Sequence, residues 1–196
     1  MATVRVLKVG YSKPEPEGVG RADGTITLIR SSVNVLVDTG NPADGGEIVR
    51  LLKAEGLSPD DVSVVVCTHG HVDHAGCNGL FPHALFIVSR DIARGDRIEG
   101  RDFAQDPYVI DEEVQVIGTS GHMPQDVSVL VKTPEGLVAV VGDLFESEED
   151  LKDPSRWIMW SNDPETQKNS RDSILMTADY IVPGHGGMFR VPWVVG

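Results

Sequence analysis

Cysteine is nearly absent: Cys67 and Cys77 are the only two in 196 residues. Two thiols cannot frame a disulfide scaffold, and their spacing is not a CxxC motif, so a reducing compartment, cytosol or nucleus, is expected. Aromatic residues make up only 6% of the chain, and no aromatic-basic stacking platform for single-stranded nucleic acid is visible. Positive charge is scarce as well, with 17 Lys and Arg against 30 Asp and Glu, a net charge of −13. A chain this acidic repels polyanions, which argues against a protein that coats nucleic acid. No run approaches the ~18 apolar residues that span a bilayer. The first eight residues lack a signal peptide's apolar core. Neither membrane insertion nor secretion is expected.

What remains is an ordinary globular composition, 40% hydrophobic and 24% charged, long enough for one domain over 1–196. Apolar runs at Val4–Val9, Thr25–Arg30, Val33–Val37, Val62–Cys67, Ala84–Val88, Val114–Ile117, Val127–Val131, Leu137–Val141 and Tyr180–Val182 predict strands. Val62–Cys67 is continuously apolar, as suits a strand buried on both faces. Helical spacing predicts helices over Gly45–Glu55 and Glu165–Ala178. Tyr11–Gly24, broken by proline and glycine, is expected to be a loop. Strands mixed with a few helices indicate sheets layered against helices, an α/β fold.

The six histidines are unevenly placed. The buried strand runs into Thr68-His69-Gly70-His71-Val72-Asp73-His74. Residues two apart at a strand end point the same way, so His69 and His71 can converge on one ion. Asp73 and His74 follow the turn and can face a second. Gly121-His122, Gly142-Asp143 and Pro183-Gly184-His185 also sit at strand-end turns beside glycine, which leaves only His83 over. Neutral imidazoles and carboxylates are the ligand set that Zn²⁺ prefers. Isolated histidines are usually structural, but H-x-H-x-D-H with three further strand-end ligands is far more specific than a lone pair. Cys67, at the end of an apolar strand, reads as a small buried hydrophobe.

The order H-x-H-x-D-H, G-H, G-D, P-G-H resembles the metallo-β-lactamase superfamily over the whole chain. The third motif reads Thr119-Ser120-Gly121-His122 where that superfamily commonly has Thr-Pro-Gly-His. The resemblance implies an αββα sandwich of two mixed sheets flanked by helices. It further implies one metal on His69, His71 and His122, a second on Asp73, His74 and His185, and Asp143 bridging them. Two zinc ions per chain are the expectation, with iron or manganese as alternatives. Such a pair can share a hydroxide as nucleophile, and Asp73 is the candidate catalytic residue, able to orient that hydroxide and pass on its proton. Thr68, Asn78 and Ser120 are read as local turn bonds.

Substrate does not follow from the fold. True β-lactamases generally lack the carboxylate supplied by Asp143. Glyoxalase II enzymes carry a C-terminal helical domain for which little chain follows His185, and the larger nucleases insert a domain for which the interval from Asp143 to His185 is too short. A closer resemblance, to one branch of the superfamily, runs through Glu15–Gly20, Arg21–Gly24, Gly79–Pro82, Gln125–Val129, Gly142–Glu146 and Val182–Gly186. It implies an endoribonuclease acting on histone pre-mRNA 3′ ends, a homodimer with RNA as its substrate partner. Rival readings are a thioester or lactone hydrolase, a mononuclear-iron sulfur dioxygenase, and a non-catalytic metal-binding module. The stretch Arg90–Arg101 is read as a solvated loop with local ion pairs in preference to an RNA-binding helix. Trp157 and Trp160 are read as core or interface residues before a substrate lid.

Overall fold

The computed structural model describes residues 1–192. Its strands are β1 (Thr3–Lys8), β2 (Tyr11–Pro14), β3 (Gly20–Asp23), β4 (Ile26–Arg30), β5 (Asn34–Val37), β6 (Val64–Cys67), β7 (Leu85–Val88), β8 (Asp91–Arg94), β9 (Arg97–Gly100), β10 (Tyr108–Val109), β11 (Val114–Gly118), β12 (Val127–Thr133), β13 (Gly136–Gly142), β14 (Tyr180–Pro183) and β15 (Phe189–Arg190). Its α-helices are α1 (Gly45–Ala54), α2 (Val72–Ala75), α3 (Ser155–Ile158) and α4 (Pro164–Thr177). One sheet runs β1-β4-β5-β6-β7-β8-β9 and a second runs β10 to β15 in sequence, while β2 and β3 pair apart from both.

Each inner strand is apolar throughout because its two faces serve two cores. In β5 and β6, Val35, Val37, Val64 and Val66 point toward the second sheet and meet Val129, Val131, Val138, Val140 and Val182. The alternate residues Leu36, Val65 and Cys67 pack outward with Ile48 and Leu52 of α1. The second sheet does the same with Ala139, Val141 and Ile181 against Ile174 of α4. Burying each such Leu, Ile or Val side chain contributes roughly 1.5–3 kcal/mol, and the layer order is α-β-β-α, as expected. No helix among the described residues is long and apolar enough to cross a membrane.

Two sequence expectations need correction, and a third is met in one of its two residues. Tyr11–Gly24 is not a plain loop but the β2–β3 hairpin, with Pro14 paired to Gly20 at its end. Proline is tolerated at a strand end where no further ladder bond is needed. Arg90–Arg101 is neither helix nor loop. It forms the β8–β9 hairpin with Arg94 opposite Arg97 across a two-residue turn, an exposed edge of the first sheet laced with charge of both signs. Trp157 and Trp160 part company. Trp157 is buried, and Trp160 is 39% exposed at the mouth of a cavity.

Candidate metal centre

Strand ends from both sheets meet at one edge of the sandwich. β13 and β14 are parallel, and β11 and β13 each run antiparallel to β12, so β11, β13 and β14 all end on the same side. His122 follows β11, Asp143 follows β13 and His185 follows β14. From the facing sheet, β6 runs into His69 and His71, and α2 carries Asp73 and His74.

All seven candidate ligands come together there. His69 Nε2 and His71 Nδ1 are 2.9 Å apart, and His122 Nε2 is 3.2 Å from His71 Nδ1. Asp73 Oδ2 lies 3.7 Å from His74 Nε2 and 3.8 Å from His185 Nε2. Asp143 stands between the two groups. Its Oδ2 is 3.6 and 3.4 Å from Nε2 of His69 and His122, and its Oδ1 is 3.1 and 3.3 Å from Nε2 of His74 and His185. His83 is exposed and is not among them.

The donor set fits cations. His74 is fully buried, and its Nδ1 donates to Asp38 Oδ2 at 2.8 Å. Its Nε2 is then a lone pair aimed at another acceptor, Asp143 Oδ1. Both atoms are buried without a hydrogen-bond partner among the described residues. Such an arrangement is costly unless positive charge satisfies it. Imidazole nitrogens with carboxylate oxygens suit zinc in particular.

Groups behind the ligands orient several of them. Asp38, just past β5, accepts from Thr68 N at 2.7 Å as well as from His74, because parallel pairing of β5 and β6 sets their ends side by side. His185 Nδ1 donates to the Asp23 carbonyl at 3.0 Å. Asp23 is held in turn by Lys8, whose Nζ lies 2.7 Å from Asp23 and 2.8 Å from Asp44. Gln167 of α4 donates from Nε2 to the Asp143 carbonyl at 3.0 Å. Gly142 has φ 54°, and a Cβ on Gly184 would overlap the Asp143 carboxylate, so the bridge position depends on two residues without side chains.

Electrostatically the cluster is divided. Burial pushes His69 well below the ordinary histidine range and lowers His122 too. Burial also opposes charge on His74 and His185. There the neighbouring carboxylates outweigh it, Asp143 and Asp38 raising His74 well above its ordinary value and Asp143 raising His185 to about 9. Burial works against ionisation of Asp143, but His74, His185 and His69 overcome it and hold its carboxyl well below the usual range. Burial and then Asp143 push Glu146 up to about 9. A bound cation would be the largest local charge and would favour neutral imidazoles and ionised carboxylates throughout.

A cavity of about 330 Å³ opens over the cluster, lined by Arg21 and Ala22 of the β2–β3 hairpin and by Glu146 and Trp160. A second cavity of about 630 Å³ adjoins it and shares Ser12, Glu146, Trp160 and His185. Asp38, Glu146, Gln167, Arg21 and Trp160 are the site residues that sequence reasoning missed or misjudged. The strand break at Asp38-Thr39-Gly40 was a usable signal for the first, because a polar strand end beside a ligand-bearing strand end is placed to support it. Thr68 does more than a turn bond, since its hydroxyl donates to Asp38 and lies 3.2 Å from His69 Nδ1. Ser120 does make a local bond, to the Pro124 carbonyl. Cys77 is buried with its thiol on the Asn41 carbonyl, and burial pushes the Cys67 thiol up to about 12. Neither is poised as a nucleophile.

Fold and site together define a metal-dependent hydrolase, and the chain belongs to the metallo-β-lactamase superfamily, whose family model matches residues 19–116. A Xenopus laevis protein, metallo-β-lactamase domain-containing protein 1, is 45% identical over 193 residues, covering 96% of this chain and 82% of its own length. An N-acyl homoserine lactonase from Bacillus cereus is 30% identical over 121 residues, 54% of this chain and 48% of its own. A solved Thermotoga maritima structure that carries a provisional metallo-β-lactamase name superposes with a TM-score of 0.71 at 21% identity, covering 96% of this chain and 99% of that one.

Proposed function

We propose that the chain is a dinuclear zinc hydrolase that cleaves RNA phosphodiesters as an endoribonuclease, with histone pre-mRNA 3′ ends as the substrate class. The observation that supports two ions over one is Asp143, whose carboxylate lies within 3.6 Å of imidazole nitrogens in both ligand groups, with His185 Nε2 at 3.3 Å from each of its oxygens. When bound, the cations supply Lewis acidity and bring the pKa of water toward neutrality. No protein nucleophile is needed, in keeping with two buried thiols.

The chain's own residues then divide the work. His69, His71 and His122 would hold one ion, and Asp73, His74 and His185 the other. Asp73, half-buried and facing the cavity, takes the attacking water's proton at the carboxylate oxygen not given to the ion and returns it to the leaving oxygen. Arg21, exposed on the hairpin, meets a phosphate next to the scissile one. Trp160 offers a ring face to a base. RNA as substrate rests on resemblance through segments outside the metal motifs, Glu15–Gly24 and Gln125–Val129 among them. A homodimer rests on the same resemblance and is checked by light scattering.

A second reading, a lactone or thioester hydrolase, is favoured by the acidic wall of the larger cavity, Glu146, Glu148, Glu149, Asp150 and Asp153, and by similarity to the lactonase. Metal-loaded protein incubated with a short single-stranded RNA, a chromogenic thioester and an acyl lactone separates the two. RNA cleavage abolished by Asp73→Ala is expected. Turnover of the small esters alone would overturn the RNA reading, and about one iron with no zinc per chain would overturn the dizinc centre.

A further inference from the structure

Helix α4 buries an unusual stripe. Its buried side chains are Gln167, Arg171 and Ile174, spaced along one face, and only the last is apolar. Buried polar groups persist where they meet hydrogen-bond partners. Gln167 has no exposed surface, and its Nε2 donates to two main-chain carbonyls, those of Asp143 at 3.0 Å and Leu144 at 3.2 Å. Its Oε1 is buried without a partner among the described residues, so the amide is oriented for those carbonyls alone. Arg171 donates to the same Leu144 carbonyl at 2.7 Å, and is itself fixed by Asp150 and by the rings of Phe145 and Trp157. The other ligand turn reaches the same helix end. Asn162 N donates to the His122 carbonyl at 3.1 Å, and Asp163 N to the Gly121 carbonyl at 2.9 Å. Ser161 Oγ donates to the Gly121 carbonyl as well, and Ser170 Oγ, on α4, to the Ser120 carbonyl at 2.8 Å. Contact is so close that a Cβ on Gly121 would overlap the main chain of Gln167. Asp163 starts the helix by accepting from Thr166 N, with Pro164 in the first position. One helix end thus grips the main chain at both His122 and Asp143.

We infer that the start of α4 sets the spacing between His122 and Asp143, and that Gln167 is a positioning residue of the metal centre. The inference rests on the dinuclear reading above and is independent of the substrate. An ion at His69, His71 and His122 that also meets Asp143 needs the turns after β11 and β13 at a fixed separation. The sheet alone does not set it. Strand β12 lies between β11 and β13, and His122 lies beyond Gly118, the last residue of β11 paired to β12. Nothing among the described residues backs the His122 ring at Nδ1, so the place of that imidazole is set through its main chain. Gln167 touches both turns at once, by hydrogen bonds to one and by packing on Gly121 in the other. Its amide therefore ties the bridging carboxylate's main chain to the helix that also carries the His122 turn.

Cobalt(II)-loaded protein tests this, with ion affinity read by chelator competition and ligand geometry by the visible absorption of the bound cobalt. Gln167→Met keeps the side chain's length and removes its donor. It is expected to weaken ion binding about 10–100-fold, as loss of a partner behind a ligand does, and to change the shape of the cobalt spectrum. Ile174→Ala is the control, because Ile174 lies on the same helix but sits in the apolar core. That variant should lose at least as much stability in denaturant unfolding, with affinity and spectrum left at wild type. Ser170→Ala removes one bond to the Ser120 carbonyl. It should shift both readouts in the same direction by less, and it stands in if Gln167→Met does not fold. Wild-type affinity and spectrum in the variant that folds would overturn the positioning role, as would an equal change in Ile174→Ala. Uptake of a single cobalt per wild-type chain would instead end the dinuclear reading. The comparison of Gln167→Met with wild type at that one ion would still decide the role of Gln167.

Discussion

His74 and His185 each donate from Nδ1 to an oxygen held by another part of the fold, Asp38 in one case and the Asp23 carbonyl in the other. In the facing group, among the described residues, His122 has no hydrogen-bond partner behind its ring, His71 is exposed, and His69 alone meets a hydroxyl, that of Thr68. The same ligand chemistry is therefore built in two ways. One group is oriented before any ion arrives, and ligand orientation of this kind raises metal affinity. The other depends on the ion to complete its geometry. An uneven pair is the expected result, with the ion at Asp73, His74 and His185 bound the more tightly.

Removing what the two groups share is the harshest way to break that contrast. Asp143→Ala should strip metal from both and lower hydrolysis by more than the ~10–100-fold that loss of an outer partner costs, read by metal analysis and kcat together. Retention of two ions with near-normal turnover would end the bridging assignment. Next in size is Lys8→Ala, which leaves Asp23 and Asp44 as poorly solvated carboxylates without their cation. A loss of about 3 kcal/mol in denaturant unfolding is expected, along with weaker metal retention at His185. Asp38→Asn makes the well-supported group resemble the other one. Asparagine tolerates the φ of 62° found there, yet it cannot hold His74 by a charge-assisted bond. Chelator competition should show one ion about 10–100-fold weaker and the order of release reversed relative to wild type. An unchanged order would refute the asymmetry.

The smallest effect lies outside both groups and serves as a control. Asp111 accepts from Ser32 N, Ser32 Oγ, Glu113 N and Val114 N. Burial opposes its ionisation, but bonds from Ser31 and Ser32 outweigh this and bring its pKa down to about 2. A depressed carboxyl contributes stability in full above its unfolded value near 4, and that contribution fades as pH falls toward 2. Asp111→Asn should therefore be less stable than wild type at pH 7, the gap closing between about pH 4 and pH 2 while metal content stays normal. A gap independent of pH would assign the effect to packing instead.

Legibility followed distance along the chain. His69, His71, Asp73 and His74 occur within six residues, so their common purpose was visible as a motif, and His122, Asp143 and His185 were recognisable by their strand-end glycines. Asp38 lies 36 residues from His74; the strand break at Asp38-Thr39-Gly40 marks it as a strand end, but only the placing of β5 beside β6 shows which ligand it supports. Glu146 was not singled out, because the burial of one acid within an acidic stretch cannot be inferred from composition. The β2–β3 hairpin was missed since its Pro and Gly content argues against strands, and its two strands pair only with each other.

The sequence by itself determined the layered α/β architecture and the seven candidate ligands, because apolar periodicity and ligand type are properties of short stretches. It also excluded a disulfide framework, through the scarcity of cysteine. Only the tertiary structure decided which groups stand behind each imidazole, that Asp143 faces both ligand groups, and that Trp160 and Glu146 share the wall between two cavities. Those relations join strand ends and loops far apart in the chain. They exist only after two sheets have packed face to face and brought their ends to one edge.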